Sequence, residues 1–192
     1  MRDIMSIPPQ ELGKGSPIKV EILETRADVA NDFARVMAAK IRENNALGKP
    51  TAFILPVGPT GQYRRLARLC NIEGISCRNL ITINMDEYCL ADGSLVPFDH
   101  PMGFRGFMEQ EFFSLLDDDK KVRRENIIFP APQDLEALPR KIEEIGGVDI
   151  AFGGIGINGH IAFNEAMSEE EISAEEFREL GTRLIDLAPE TI

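Results

Sequence analysis

Residues 51–63 read TAFILPVGPTGQY, and three features follow one another there. Thr51 to Leu55 is an essentially apolar run, the pattern of a strand buried on both faces. Pro56 to Gly61 interrupts it with two prolines and two glycines, a loop signal. From Gln62 to Ile72, Tyr63, Leu66 and Leu69 recur at three-residue spacing, so a helix follows. Strand, tight loop and helix in that order is the unit from which parallel sheets are built.

The same alternation extends to both sides. Upstream, Thr25 to Asn45 places Val29, Phe33, Val36, Met37 and Ile41 on one helical face, and Lys19 to Leu23 alternates like a short strand. Before it, Met1 to Pro17 has three prolines, two glycines and no sustained period, an irregular arm. Downstream, Asn79 to Met85 (NLITINM), Ile127 to Phe129 and Val148 to Phe152 (VDIAF) read as strands. Phe104 to Leu116 and Leu135 to Ile145 read as helices, the second closed by Gly146-Gly147. The pattern predicts an α/β fold: a Rossmann-like, doubly wound, mainly parallel sheet with helices on both faces. Residues 18–192 are expected to form one domain behind an arm of residues 1–17. Ser168 to Arg178 is strongly acidic, a solvated helical face or a mobile lid. Asp117 to Lys121 reads as a solvated turn.

Composition narrows the function classes. The 192 residues carry 21 Lys+Arg against 32 Asp+Glu, a formal charge of −11, which argues against nucleic acid as a partner. No apolar run is long enough to span a bilayer, and MRDIMSIPPQ has no signal-like apolar region. Cys70, Cys77 and Cys89 form no C-x-x-C pair, as expected of reduced thiols in a cytoplasmic protein.

Ligands in such folds bind at the carboxyl ends of the strands, and three of those loops carry unusual residues. Gly58-Pro59-Thr60-Gly61-Gln62 opens a helix, so glycine backbone and free N–H groups are placed to hold a phosphate; a ligand-free Gly-Pro turn is the alternative. A Walker lysine is absent. Asp86-Glu87, in Asn84-Met85-Asp86-Glu87-Tyr88, sets two carboxylates at a strand end, where desolvation can make one a base. Strand geometry sends them to opposite sides, and a pair capping the next turn is the alternative. Gly153 to Glu165 (GGIGINGHIAFNE) contains Gly154-x-Gly156-x-x-Gly159, formally a dinucleotide fingerprint. It lies several units into the fold and runs toward an acidic stretch, so NAD is not expected. His160 and Glu165 supply an imidazole with a carboxylate five residues on. His100, flanked by proline, reads as a turn residue, and no spacing among His100, His160 and Asp86 supports a metal.

These three loops, in this order, resemble the glucosamine-6-phosphate deaminase/isomerase family, most specifically in Gly159-His160-Ile161-Ala162-Phe163-Asn164-Glu165 and in Asn84 to Tyr88. Weaker likeness covers Phe104 to Phe113 and Gly146-Gly147-Val148-Asp149. The resemblance implies aldose–ketose isomerisation with loss of ammonia, on a sugar-phosphate substrate, without metal or organic cofactor; whether the protein is a homo-oligomer stays open. It implies that Asp86 is the base moving the proton between C1 and C2, that His160 opens the sugar ring with Glu165 in support, and that Gly58, Thr60, Gly61 and Gln62 hold the phosphate.

Three departures stand out. Asn158 occupies the place of an aspartate two residues before the histidine, so a neutral amide joins the catalytic set. The phosphate loop is about two residues shorter than in the family, and Pro59 lacks an N–H. The family's chains run on past Ile192, which predicts an incomplete domain here. Thr182-Arg183 agrees with the family, but Ile185 replaces the lysine of its allosterically regulated hexamers, so no activation by an acetylated amino-sugar phosphate is expected. The alternatives are a sugar-phosphate lactonase or other isomerase on the same scaffold, and a non-catalytic sugar-phosphate-binding regulator.

Overall fold

The computed structural model describes residues 6–191. Its first long element, α1 (Arg26–Ala46), begins at a capping box: the Thr25 hydroxyl accepts the Asp28 N–H, and the Asp28 carboxylate accepts the Thr25 N–H, each at 3.1 Å. Then come β1 (Thr51–Leu55), α2 (Gln62–Glu73), β2 (Leu80–Asn84) and α3 (Phe104–Glu111). The series closes with β3 (Ile127–Ile128), α4 (Ala137–Glu144), β4 (Ile150–Ala151) and α5 (Ala174–Arg178). Among the described residues, no helix is long and apolar enough to cross a membrane.

All four strands are parallel, in the order β3-β2-β1-β4. Side chains alternate between faces along each strand, and the core divides accordingly. Phe53, Leu55 and Leu80 share one core with α1, α2 and α3 through Met37, Ile41, Leu66 and Met108. Ala52, Ile81 and Ile83 face Leu138 and Ile142 of α4. Helices therefore cover both faces, and the doubly wound α/β fold expected from the pattern is the one observed. The chain winds outward from β1 to β3, then crosses to the other side of β1, so the winding reverses between β1 and β4. Asp149 ties that junction: its carboxylate accepts the Ala52 N–H at 2.8 Å and the Asn44 amide at 3.0 Å.

Several expected elements differ. Lys19 to Leu23 is not a strand; no partner strand meets it among the described residues, and Ile18, Val20 and Ile22 are exposed. Alternation gives a segment two faces, but a strand also needs an edge to pair with. The helix from Phe104 stops at Glu111, and a 3-10 turn takes over at Phe113–Leu115. The break lets the consecutive rings of Phe112 and Phe113 both enter the core, 5.2 Å apart. The acidic stretch forms only the five residues of α5.

Candidate active site

Asp86 and Glu87 follow β2 directly and have separated roles. The Glu87 side chain is 1% exposed, and its two oxygens accept the N–H groups of Phe104 (2.8 Å) and Arg105 (2.9 Å), at the start of α3. The Arg105 guanidinium closes over it at 3.2 Å. Glu87 is thus the anchor of a helix N-terminus. Asp86 has no such duty. Its Oδ1 is buried without a hydrogen-bond partner, and burial, followed by the charge of Glu87, pushes its carboxyl up to about 7. Strand geometry gave the opposite directions of the pair; which of the two was structural lay in the contacts of α3.

Asp86 lines a cleft of about 730 Å³. Its walls are residues 85–91, residues 130–132 with Leu135, residues 162–164 and residues 180–187. Arg183 is the only lysine or arginine among them. The Thr182-Arg183 agreement in the sequence was the signal for it.

The loop after β4 holds the second group of residues. Asn158 bridges its neighbours: its Oδ1 lies 2.8 Å from His160 Nδ1, and its amide nitrogen donates to Glu165. A carboxylate can only accept, so the Asn158 amide is oriented with its oxygen toward the imidazole, and His160 donates from Nδ1 and keeps Nε2 as a bare acceptor. Glu165 Oε2 is also 3.4 Å from His160 Nδ1. The Thr191 hydroxyl donates to the other Glu165 oxygen at 2.7 Å; this bond, then that from Asn158, holds the carboxyl below its usual range.

Glycines make this packing feasible. A Cβ at Gly156 would collide with the His160 ring, and one at Gly154 would lie 2.8 Å from the Gly58 carbonyl oxygen. The fingerprint-like glycines therefore serve an imidazole and the neighbouring β1 loop. Ala162 and Phe163 both take φ of 54°, a conformation uncommon outside glycine. That turn sets the Phe163 ring 5.4 Å from His160 and 5.6 Å from Tyr88, so one aromatic side chain joins the histidine loop to the Asp86 loop.

The remaining expected residues lie elsewhere. Gly61, with φ of 102°, caps the start of α2, preceded by the cis Gly58–Pro59 bond. Thr60 and Gln62 line a second cavity, of about 370 Å³, together with Arg26 and Arg65. It shares no lining residue with the Asp86 cleft. Arg65 is four residues beyond Gly61, one helical turn, and its guanidinium donates to the Gly61 carbonyl at 2.7 Å; that spacing was readable in advance. Arg26 was not, because it comes from α1.

The glucosamine-6-phosphate deaminase of Parabacteroides distasonis is 41% identical to this chain, over 69% of the chain and 49% of the relative. That of Caenorhabditis elegans is 38% identical over 75% and 54%, and that of a Thermoanaerobacter species 34% over 91% and 64%. The chain thus resembles glucosamine-6-phosphate deaminases over most of its own length, at 34–41% identity. No family model matches it. It spans about half the length of the curated relatives it matches. A solved monomeric glucosamine-6-phosphate deaminase of the NagB superfamily superposes with a TM-score of 0.66 at 29% identity, over 77% of this chain and 59% of that one. A 6-phosphogluconolactonase from Thermotoga maritima shares the fold, with a TM-score of 0.56 at 18% identity, over 73% and 61%.

Proposed function

We propose that this chain carries the reaction centre of an amino-sugar phosphate isomerase and deaminase, acting on glucosamine 6-phosphate or a close relative. The observation that carries the reading is Asp86: a carboxyl with a free oxygen, raised to about 7, facing a cleft whose one cation is Arg183. A base poised near neutral pH suits proton abstraction beside a carbonyl. His160, with Nε2 free, passes the proton that opens the sugar ring, while Asn158 and Glu165 hold the imidazole in place. In the opened sugar Asp86 takes the proton from C2 and returns it to C1. Water then replaces the nitrogen at C2, which leaves as ammonia with a keto-sugar phosphate as the other product. Arg183 meets negative charge on the substrate. The family's chemistry and the 34–41% identity of the relatives support this assignment. The hydrolytic loss of ammonia is part of the same proposal, as is a cytoplasmic setting, which suits three free thiols, two of them 3.6 Å apart.

Exchange of the C2 proton with solvent deuterium tests the reading. Asp86→Asn is expected to slow exchange and ammonia release about 10²- to 10⁴-fold; exchange at the wild-type rate would remove Asp86 as the base. A second reading, a sugar-phosphate sensor without turnover, is favoured by the neutral Asn158 beside His160. Thermal shifts with sugar phosphates, followed by an ammonia assay on each hit, separate the two. Acid released from a lactone without ammonia would instead point to a lactonase.

A further inference from the structure

The carboxylate of Glu165 is held at both of its oxygens, from two directions. On one side Asn158, in the histidine loop itself, donates its amide N–H to Oε2, the oxygen that lies 3.4 Å from His160 Nδ1. On the other side Thr191, 26 positions further along the chain, donates its hydroxyl to Oε1 at 2.7 Å. The Ala188 N–H reaches the same oxygen at 3.4 Å. A turn delivers these two donors together: the Thr191 N–H donates to the Ala188 carbonyl at 2.9 Å, with Pro189 presetting the first corner.

The last torsion of a glutamate side chain has no sharp staggered wells, so a carboxylate pinned at one oxygen pivots about that contact. Pinning both oxygens fixes the plane of the group. A hydrogen bond to an ionised carboxylate is also among the stronger ones open to a hydroxyl. Of the influences that keep the Glu165 carboxyl below its usual range, the bond from Thr191 is the largest, ahead of that from Asn158. His160 is the titratable group facing Glu165 among the described residues. Thr191 lies outside the Asp86 cleft, whose wall from this segment ends at Leu187, so it is not placed to touch a ligand there.

We propose that Thr191 is a positioning residue: its hydroxyl fixes the Glu165 carboxylate in its plane beside His160, and acts on the imidazole through it without touching substrate. The effect on turnover rests on the deaminase reading above; the fixing of Glu165 does not. Residues 180–187, just before the turn, wall the cleft. One stretch of chain therefore encloses the Asp86 cleft and steadies the charge behind the imidazole.

Thr191→Val removes the hydroxyl and keeps the branched shape, and Thr191→Ser restores the donor. Thr191→Val is expected to lower kcat for glucosamine 6-phosphate about tenfold, the loss of one hydrogen bond to a charged group, at an unchanged KM. Thr191→Ser is expected to recover most of the rate. Nuclear magnetic resonance gives a readout independent of turnover. In protein labelled at the glutamate carboxyls, the Glu165 signal is assigned by its absence in Glu165→Gln. It should titrate at higher pH in Thr191→Val than in the wild type or Thr191→Ser. The chain has two histidines, so the ring signals of His160 are distinguished from those of His100. Those of His160 should move in Thr191→Val alone, and those of His100 in neither variant. A wild-type kcat or an unmoved Glu165 titration in Thr191→Val overturns the proposal, as does a Thr191→Ser as impaired as Thr191→Val. If the wild type releases ammonia from no sugar phosphate, the functional reading fails, and the two resonance measurements decide the positioning role by themselves.

Discussion

His160 Nδ1 lies 2.8 Å from the side-chain oxygen of Asn158, a neutral acceptor. The amide fixes the tautomer of the imidazole but adds no charge to balance an imidazolium, so that balance falls to Glu165, 3.4 Å away. Asn158→Asp supplies the missing charge at the shorter distance, and turnover of glucosamine 6-phosphate is expected to rise. Asn158→Leu, which cannot orient the ring, is expected to lower it. An unchanged or lower rate in Asn158→Asp would show that this chain has a different substrate.

Asp86 sets a pH dependence with a definite sign. Its carboxyl has an ordinary value of 3.8 and is raised to about 7 in the fold. The folded state retains the proton between those values, so stability is lost as pH climbs from about 4 to about 7, by up to roughly 4 kcal/mol. Asp86→Asn should match the wild type in Tm below pH 4 and exceed it increasingly up to pH 7. Activity should rise over the same upper range as the base becomes free. Parallel Tm curves for the two proteins from pH 4 to pH 8 would refute the raised value.

Glu87 should behave as a stability residue. Glu87→Ala leaves the Phe104 and Arg105 N–H groups without their acceptor and the Arg105 guanidinium with only the Val96 carbonyl, at a cost of about 1–3 kcal/mol. Urea unfolding should show a lower midpoint and a loss of helix, with Glu87→Gln intermediate. A midpoint within experimental error of the wild type would mean that α3 does not depend on this anchor.

The thiols should differ sharply in reactivity. Cys70 and Cys77 are both buried, with the contact between them, then burial, raising the Cys77 thiol, whereas Cys89 is partly exposed. Iodoacetamide under native conditions is expected to label Cys89 alone, and slowly, since its thiol is also raised. Mass spectrometry of the labelled peptides checks this; early modification of Cys70 or Cys77 would mean that the end of α2 opens readily.

The elements that were legible in the sequence are those whose signal is local. β1 and β2 announce themselves by five-residue buried runs, α1 and α2 by one-sided apolar spacing, and α2 also by glycines at both ends. Lys19 to Leu23 failed because pairing is a property of two segments, and its alternation describes only one. The end of α3 depended on Phe112 finding the Tyr63 ring, 6.0 Å away and 49 positions earlier in the chain. In the candidate site, the placement of Asp86, Asn158, His160 and Glu165 in loops after strands was readable from the sequence. The anchoring role of Glu87 and the presence of Arg26 beside Thr60 were not, because each comes from an element distant in sequence.

The division of labour within Asp86-Glu87 has an evolutionary side. One carboxylate secures the architecture and its neighbour is free of structural duty, so with Asp86 as the proposed base a single nucleotide change at codon 86 would silence chemistry while the folded body survives. In the laboratory the same change would yield a reagent: a folded, inert protein in which an unreacted sugar phosphate could be trapped and seen.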